Sequence, residues 1–404
     1  MAAICGIDWA ADWHDVLIAD AASGEPLAER RFDHTEAGIA ALTSLLVECQ
    51  VQCVAIERPE GVLVGRLLDA GICVLAIHPN QVKAARDRFR AAAGKSDRFD
   101  AFVLCELART DRHRFPALCP SGDETLALRA LCRTREDLVE ARVSLANQLR
   151  AQLDACWPGA AAIFADVDSP IALAFLARYP APTDARGLGR ARLRGFLDRH
   201  GYCGRRPVEE LLGRLRGAPS AVIGDGEAEA RRAAVLALAA ALRPLVEQIS
   251  ELTSQIRGAV RAHPDGQIFL SFFKDPKSAV TAAGLLAEIG DNRARYPTAQ
   301  TLCADAGQAP VAIESGKRRN AAFRWACDKR LRAHVGVLSD STRKWHPWAG
   351  DVYRRALARG QDHPHACRTL GRAWMLVLWR CWHDKAPYDP YRHGNLRRLQ
   401  ALGG

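Results

Sequence analysis

The apolar positions of this chain change period along its length, and each change marks a new region. Over the first eighty residues they come in short runs separated by turn residues, the pattern of buried strands and short helices. Ala3–Asp8, Val16–Asp20 and Leu27–Phe32 read as three strands joined by short turns, with Ser23-Gly24-Glu25-Pro26 as a turn signal. A helix from about Thr35 to Glu48 follows, then a buried-strand run, Val51–Ile56. A helix near Val62–Ala70 comes next, stopped by Gly71 as its C′ residue, then a strand at Ile72–Ile77 and a mostly helical stretch over Asn80–Arg114.

From residue 121 the period becomes helical. Leu131, Leu138 and Leu145 repeat at seven within 121–157. Over 228–262, Val235, Leu238, Leu242, Leu245, Ile249, Leu252 and Ile256 alternate spacings of three and four. That is an a/d seam and predicts a coiled coil, with Pro244 expected to kink or weaken it. The stretch between, 158–227, is rich in Pro, Gly and Arg and reads as a helical insertion, with short helices at Phe175–Tyr179, Arg190–His200 and Glu209–Leu215. Beyond 266, helices at Ala279–Ile289 and Thr298–Ala306 precede a loop over Gln308–Asn320 and a basic helical region reaching about Trp382. The expected fold class is α/β plus α. Three hairpin-type strands followed by alternating helix and strand is the order of a ribonuclease-H-like domain, here over 1–115. A coiled-coil region, 121–265, carries the insertion 158–227, and a mostly helical domain covers 266–404.

Charge changes this picture. The net charge is +10, but residues 311–404 alone hold 19 Lys+Arg against 7 Asp+Glu, so the other 310 residues sum to −2. A basic C-terminal part predicts a polyanionic partner. The plainer reading is a solvated, solubility-promoting face; against it, this part also holds six of the nine tryptophans. Thirteen cysteines with no C-x-x-C pair exclude a zinc ribbon and a thioredoxin motif. Their odd number and the lack of a secretory leader predict a reducing, cytoplasmic setting. No apolar run approaches the roughly 18 residues of a membrane span, so no membrane partner is expected.

Four acids are the strongest candidates for chemistry. Asp8 and Glu57 end the first and fourth strand runs, and Asp97 and Asp100 lie three apart at a helix start. Strand-end carboxylates with an i, i+3 pair can cage a hard divalent cation, which favours oxygen ligands and leaves room for a phosphate. On spacing alone, Asp-x-x-Asp is usually a solvated helix face. Asp12, Asp15, Glu60 and Glu106 compete but fall in turns or away from the strand ends. A second candidate is Ser315, in Glu314-Ser315-Gly316-Lys317-Arg318-Arg319. A serine hydroxyl needs activation to attack, and from the local residues alone an ordinary Ser-Gly turn is the plainer reading. There is no Gly-x-Ser-x-Gly elbow to support an esterase. Lys95, Lys317, Arg318, Arg319, Arg324, Lys329 and Arg330 are the best nucleic-acid contacts. Trp374, Trp379 and Trp382 sit in an apolar helix and read as core, and His346, His363, His365 and His383 have no regular ligand spacing.

These residues also form a set. Gly6-Ile7-Asp8, Ile56-Glu57, His78-Pro79-Asn80-Gln81-Val82-Lys83 and Lys95-Ser96-Asp97-Arg98-Phe99-Asp100-Ala101 come first. Thr281-Ala282-Ala283 through Glu288-Ile289-Gly290, Ala309-Pro310-Val311 and Ser315-Gly316-Lys317-Arg318-Arg319 follow in order. The set resembles the transposases of the insertion-sequence 110 family, also described as Piv/MooV-type DEDD recombinases, over nearly the whole chain. The resemblance implies a RuvC-like N-terminal domain, a coiled-coil middle and a C-terminal transposase domain. It implies that Asp8, Glu57, Asp97 and Asp100 hold Mg²⁺ and that Ser315 forms a phosphoserine link to cleaved DNA. It also implies target and donor duplex DNA, a structured non-coding guide RNA (a bridge RNA), and homodimers assembling into a homotetramer. One departure stands out. Many relatives carry Pro-Gly-x-Gly before the Thr-Ala-Ala helix, where this chain has Phe273-Lys274-Asp275-Pro276-Lys277-Ser278-Ala279. The alternative is a metal-dependent nuclease or junction resolvase, in which the acids activate water and Ser315 is structural.

Overall fold

A computed structural model describes residues 2–89, 96–219, 221–315 and 318–402. The chain forms two compact units, Met1–Ser121 with Asn292–Pro297, and Gly122–Asp291 with Thr298–Gly404.

The first unit is built on a five-stranded sheet of order β3-β2-β1-β4-β5. Its strands are β1 (Ala3–Trp9), β2 (Trp13–Asp20), β3 (Pro26–Asp33), β4 (Val51–Ile56) and β5 (Cys73–Ala76). The first three pair antiparallel; β1, β4 and β5 run parallel. This is the ribonuclease-H-like arrangement expected from the element order. The helices are α1 (Glu36–Glu48), α2 (Val62–Asp69), α3 (Pro79–Phe89) and α4 (Asp97–Thr110). Strand parity divides the side chains cleanly, because successive residues point to opposite faces. Cys5, Ile7, Val54 and Ile56 share a core with Ile39, Leu42 and Leu63 of α1 and α2. Ile4, Leu17, Cys53 and Ala55 share the other with Val103, Leu104 and Cys105 of α4. The outer strand β3 carries Glu29, Arg30 and Arg31, charges that discourage further strand pairing at the edge.

Among the described residues the second unit is helical except for one hairpin. Its long helices, α5 (Asp123–Cys156) and α10 (Asp225–Ala262), pack along each other. Val235, Leu242, Ile249 and Ile256, spaced at seven, are buried, whereas Leu238, Leu245 and Leu252 are half-buried. α10 runs unbroken through Pro244, which lies on its exposed face. There the carbonyl that loses its hydrogen bond can turn to water. By length and composition α10, taken by itself, is long and apolar enough to cross a membrane. This differs from the expectation that no such run exists; here its apolar stripe packs on α5 and a shorter helix of the insertion. The insertion helices, α6 (Pro158–Ile163), α7 (Pro170–Arg178), α8 (Arg190–Arg199) and α9 (Val208–Gly217), share one core with the long pair. Trp157, Phe175 and Phe196 fill it beside Leu149, Leu153 and Leu242.

The remainder comprises α11 (Gly266–Leu270), α12 (Ala279–Ile289), α13 (Ala299–Asp305), β6 (Val311–Ser315), β7 (Arg318–Ala322), α14 (Lys329–Thr342), α15 (Pro347–Ala358), α16 (His363–His383) and α17 (Gly394–Leu402). The loop expected over Gln308–Asn320 is therefore mostly an antiparallel hairpin, with Val311 paired to Ala322 and Ser315 to Arg318. Every residue of β6 is exposed, so no alternation of buried and exposed positions announced it. The readable signal was the connection itself, two residues beginning with glycine. Glu288, an acid in an apolar helix, is buried and clamped by Arg133 of α5 at 2.9 and 2.8 Å. Arg129 Nε donates to the Ala287 carbonyl at 2.7 Å beside it. Trp374 and Trp382 are fully buried, as their apolar helix predicted, and Trp379 is half-buried.

Candidate catalytic centre

Strand parity places the first two acids. Asp8 shares its face of β1 with Ile4 and Gly6, and Glu57 continues the Cys53, Ala55 face of β4. β1 and β4 are neighbours in register, Ile7 beside Ile56, so Asp8 and Glu57 follow at adjacent strand ends on the α4 side. Gly6 brings α4 to them. A Cβ at Gly6 would lie 2.1 Å from the Ala101 carbonyl oxygen and 2.3 Å from the Cys105 nitrogen. Only glycine lets the first turns of α4 rest directly on the β1 backbone, and Asp97 and Asp100 belong to the first of those turns. Ser96 caps the helix, accepting from the Phe99 N–H at 3.2 Å, which fixes where that turn starts.

Arg86 of α3 closes the group. Its Nε and Nη2 donate to the two oxygens of Asp100 at 2.6 and 2.7 Å, and Nη2 lies 3.8 Å from Glu57 Oε1. Two of the four acids, from different elements, therefore meet one guanidinium. Asp100 is only 1% exposed, so a charged carboxylate there requires a cation beside it. Hard oxygen donors from three elements are the ligand type a divalent cation takes, and Arg86, already on both oxygens of Asp100, has to give up or share them for an ion to bind. Asp8, Glu57, Asp97 and Asp100 are the residues that would hold it. Asp15, ranked below the four acids from its place in the sequence, lies in β2 directly opposite Asp8. It is buried, and Arg31 of β3 binds both its oxygens at 3.2 and 2.8 Å. That hydrogen bonding to Asp15, with smaller help from the charge of Asp97, raises the Arg31 pKa. Neither Arg86 nor the Asp15–Arg31 pair was picked out beforehand; basic residues facing strand-end acids were the available signal.

Ser315 is the last residue of β6, at the exposed tip of the hairpin. Arg318 and Arg319 begin β7 and pair with Ser315 and Glu314. Lys95 and Lys317 lie outside the described residues. Arg324 Nε donates to the Ala309 carbonyl at 3.0 Å, at the hairpin root. Lys329 opens α14 and is exposed. Arg330 binds Glu136 and Asp137 of α5 at 2.7 and 2.6 Å, so it anchors α14 to α5. Asp340, His363 and Cys367 present donor atoms within 4.8 Å of one another. Arg343 and Lys344 already hold Asp340 at 2.6 and 2.7 Å, and their charges oppose a metal ion there. All thirteen cysteines are free thiols.

Comparison with known proteins identifies the family. A profile described as a transposase of DEDD type for IS110 matches residues 5–158. A second, the transposase IS116/IS110/IS902 family, matches residues 278–354. The chain is 32% identical over 399 residues to "Mini-circle putative transposase for IS117" of Streptomyces coelicolor, covering 96% of this chain and 95% of the relative. It is 28% identical over 394 residues to the 44.8 kDa protein of insertion element IS116 from Streptomyces clavuligerus, covering 95% and 96%. RuvC of T. thermophilus bound to a Holliday junction matches 29% of this chain and all of that one, at 16% identity and a TM-score of 0.24. A DEDD-type domain implies dependence on divalent metal in general. With both family profiles in order and an almost full-length relative above 30% identity, the chain belongs to the IS110 family of transposases, enzymes that act on DNA.

Proposed function

We propose that the protein is a guide-RNA-directed recombinase that moves its insertion sequence through a phosphoserine intermediate. The observation that carries this reading is that one chain holds both a set of strand-end and helix-start acids, two of which, Asp100 and Glu57, meet Arg86, and a serine at the tip of an exposed hairpin of basic sequence. Ser315 Oγ would give up its proton and bond to the scissile phosphorus, while the P–O bond to a deoxyribose oxygen breaks and that oxygen leaves as a hydroxyl. A hydroxyl from the partner strand would then displace serine. Each step exchanges one phosphoester for another, so no nucleotide triphosphate is consumed. Asp8, Glu57, Asp97 and Asp100 would hold Mg²⁺, which supplies positive charge to the phosphate oxygens. Lys317, Arg318, Arg319 and Lys329 would neutralise the strand flanking the hairpin, and Lys95, two residues before Asp97 in sequence, would be a further phosphate contact.

A two-stranded hairpin is marginal by itself. β6 exposes Val311 and Ile313, which fits a hairpin that closes against nucleic acid or another copy. The half-buried stripe Leu238, Leu245, Leu252 suits coiled-coil packing between subunits, in dimers that build a tetramer. Bridge RNA pairing with target and donor would supply sequence choice, and the setting would be the cytoplasm. The test is denaturing electrophoresis of protein incubated with labelled element-end DNA, its co-purified RNA and Mg²⁺. A covalent protein–DNA band, lost in Ser315→Ala, is expected. Free DNA ends that persist unchanged in Ser315→Ala would establish the nuclease alternative instead.

A further inference from the structure

We propose that the cavity at the root of the β6–β7 hairpin is a built site for one phosphodiester of a nucleic-acid strand. The cavity has a volume of about 340 Å³. One wall is the hairpin root, Ala309-Pro310 with Ala321–Arg324; the other is one face of α16. On that face His365, Arg368 and Arg372 recur at i, i+3 and i+7, the spacing that stacks side chains on one helical stripe. Among the described residues no carboxylate lines the cavity.

The charge there is uncompensated. Several other arginines of this unit are matched to acids, Arg330 with Glu136 and Asp137, Arg343 with Asp340, Arg355 with Asp351 and Arg380 with Asp384, while Arg332, Arg354 and Arg359 are not matched among the described residues. Arg324, Arg368 and Arg372 meet no carboxylate among the described residues. Arg324 uses Nε on the Ala309 carbonyl and keeps its two terminal nitrogens for a ligand. Arg368 lies over the Phe323 ring at 5.2 Å, and Arg332 lies over the same ring at 5.1 Å. The aromatic fixes the guanidinium plane of Arg368 without neutralising it. Three arginines lining one cavity with no carboxylate among the described lining residues suit an anion with several acceptor oxygens, and a phosphate accepts guanidinium forks bidentately. Trp325, 75% exposed and packed edge-on against Phe323, offers a free ring for a neighbouring base.

Position gives the site its use. Ser315 is four residues along β6 from Val311 at the root, roughly 14 Å at strand rise. A strand gripped at the root would be held about four nucleotides from the Ser315 hydroxyl, at 3.4 Å per nucleotide. Naming it the strand that is cut rests on the phosphoserine reading; the phosphodiester site does not.

The test is fluorescence anisotropy with labelled single-stranded DNA, single-stranded RNA and duplex DNA of element-end sequence, over a range of salt. The double variant Arg368→Gln/Arg372→Gln is compared with the full-length wild type and with Arg355→Gln/Arg380→Gln, which removes equal charge elsewhere. For at least one probe, affinity should fall roughly tenfold and the salt slope by about 1, with no such change in the control pair. The probe affected identifies the strand as DNA or RNA. Arg368→Lys/Arg372→Lys, with unchanged thermal unfolding, should recover part of the binding. Unchanged binding, or an equal loss in the control pair, overturns the site. A lost binding step with Ser315 adducts absent from the wild type would leave this site standing and remove the phosphoserine reading alone.

Discussion

Arg86 holds Asp100 through both carboxylate oxygens, at 2.6 and 2.7 Å, while the same guanidinium reaches to 3.8 Å of Glu57. The acid buried deepest in the centre thus has its counter-charge within the chain. Replacing Arg86 by Met should strand Asp100. The metal-free protein is expected to lose about 3 kcal/mol, the low end for a broken buried pair because Arg86 is itself a quarter exposed. Mg²⁺ or Mn²⁺ should raise the melting temperature of Arg86→Met more than that of the wild type. Equal metal responses would show that the cation does not meet Asp100.

Gly6 decides whether α4 can touch β1. Gly6→Ala puts a methyl 2.1 Å from the Ala101 carbonyl oxygen, a distance no side-chain adjustment relieves. The expected cost is on the order of 3 kcal/mol, with Asp97 and Asp100 carried away from Asp8. Calorimetry should show the loss, and DNA cleavage should fall further than the unfolded fraction explains. Gly65→Ala, where a Cβ meets nothing within 4 Å, is the neutral control.

Arg133 and Glu288 tie α5 to α12. Burial raises the Glu288 pKa, but the hydrogen bonds and charge of Arg133 outweigh it and leave the carboxyl below its ordinary value. The stabilisation is therefore present above the unfolded pKa, about 4.3, and is lost as pH falls through the lower folded value. Arg133→Met should cost about 3 kcal/mol at pH 7 by leaving a buried carboxylate without its fork. Urea titrations at pH 7 and pH 3 should show the difference from wild type shrinking in acid.

His346 is buried among Trp348, Trp374, Tyr388 and His393, with Nε2 3.0 Å from the Tyr388 hydroxyl. Burial, helped by the charge of His393, lowers its pKa to about 4. An unfolded histidine binds its proton near pH 6.5, so stability falls as pH drops from there to the folded value and is constant below it. The loss amounts to about 3 kcal/mol over that window. His346→Gln, which cannot titrate, should flatten this slope when unfolding is followed by tryptophan fluorescence. A slope identical to wild type would assign the proton uptake elsewhere, for example to His14, whose pKa is also lowered to about 4 by burial and by His34.

The sequence by itself determined the elements and the family. Runs such as Ile4–Ile7 and Val51–Ile56 are apolar enough to demand a sheet interior, short turns make β1, β2 and β3 a meander, and the place of β4 beside β1 followed from the likeness of the element order to a ribonuclease-H-like domain. The four acids and Ser315 were visible as residue types at element ends. The heptad in α10 was visible too, because a buried helical stripe has one period wherever it packs. Tertiary structure alone decided the partners. Arg86 lies fourteen residues from Asp100 and Arg31 sixteen from Asp15, and no periodicity links a side chain on one element to a side chain on another. It also decided the hairpin: β6 buries none of its residues, and a strand held only by its own partner leaves no pattern of burial in the sequence. Arg330 and Arg368 look alike in the chain, yet one is matched to two acids of α5 and the other faces a cavity without any. Charge in a sequence has a sign but no neighbours, and folding supplies the neighbours.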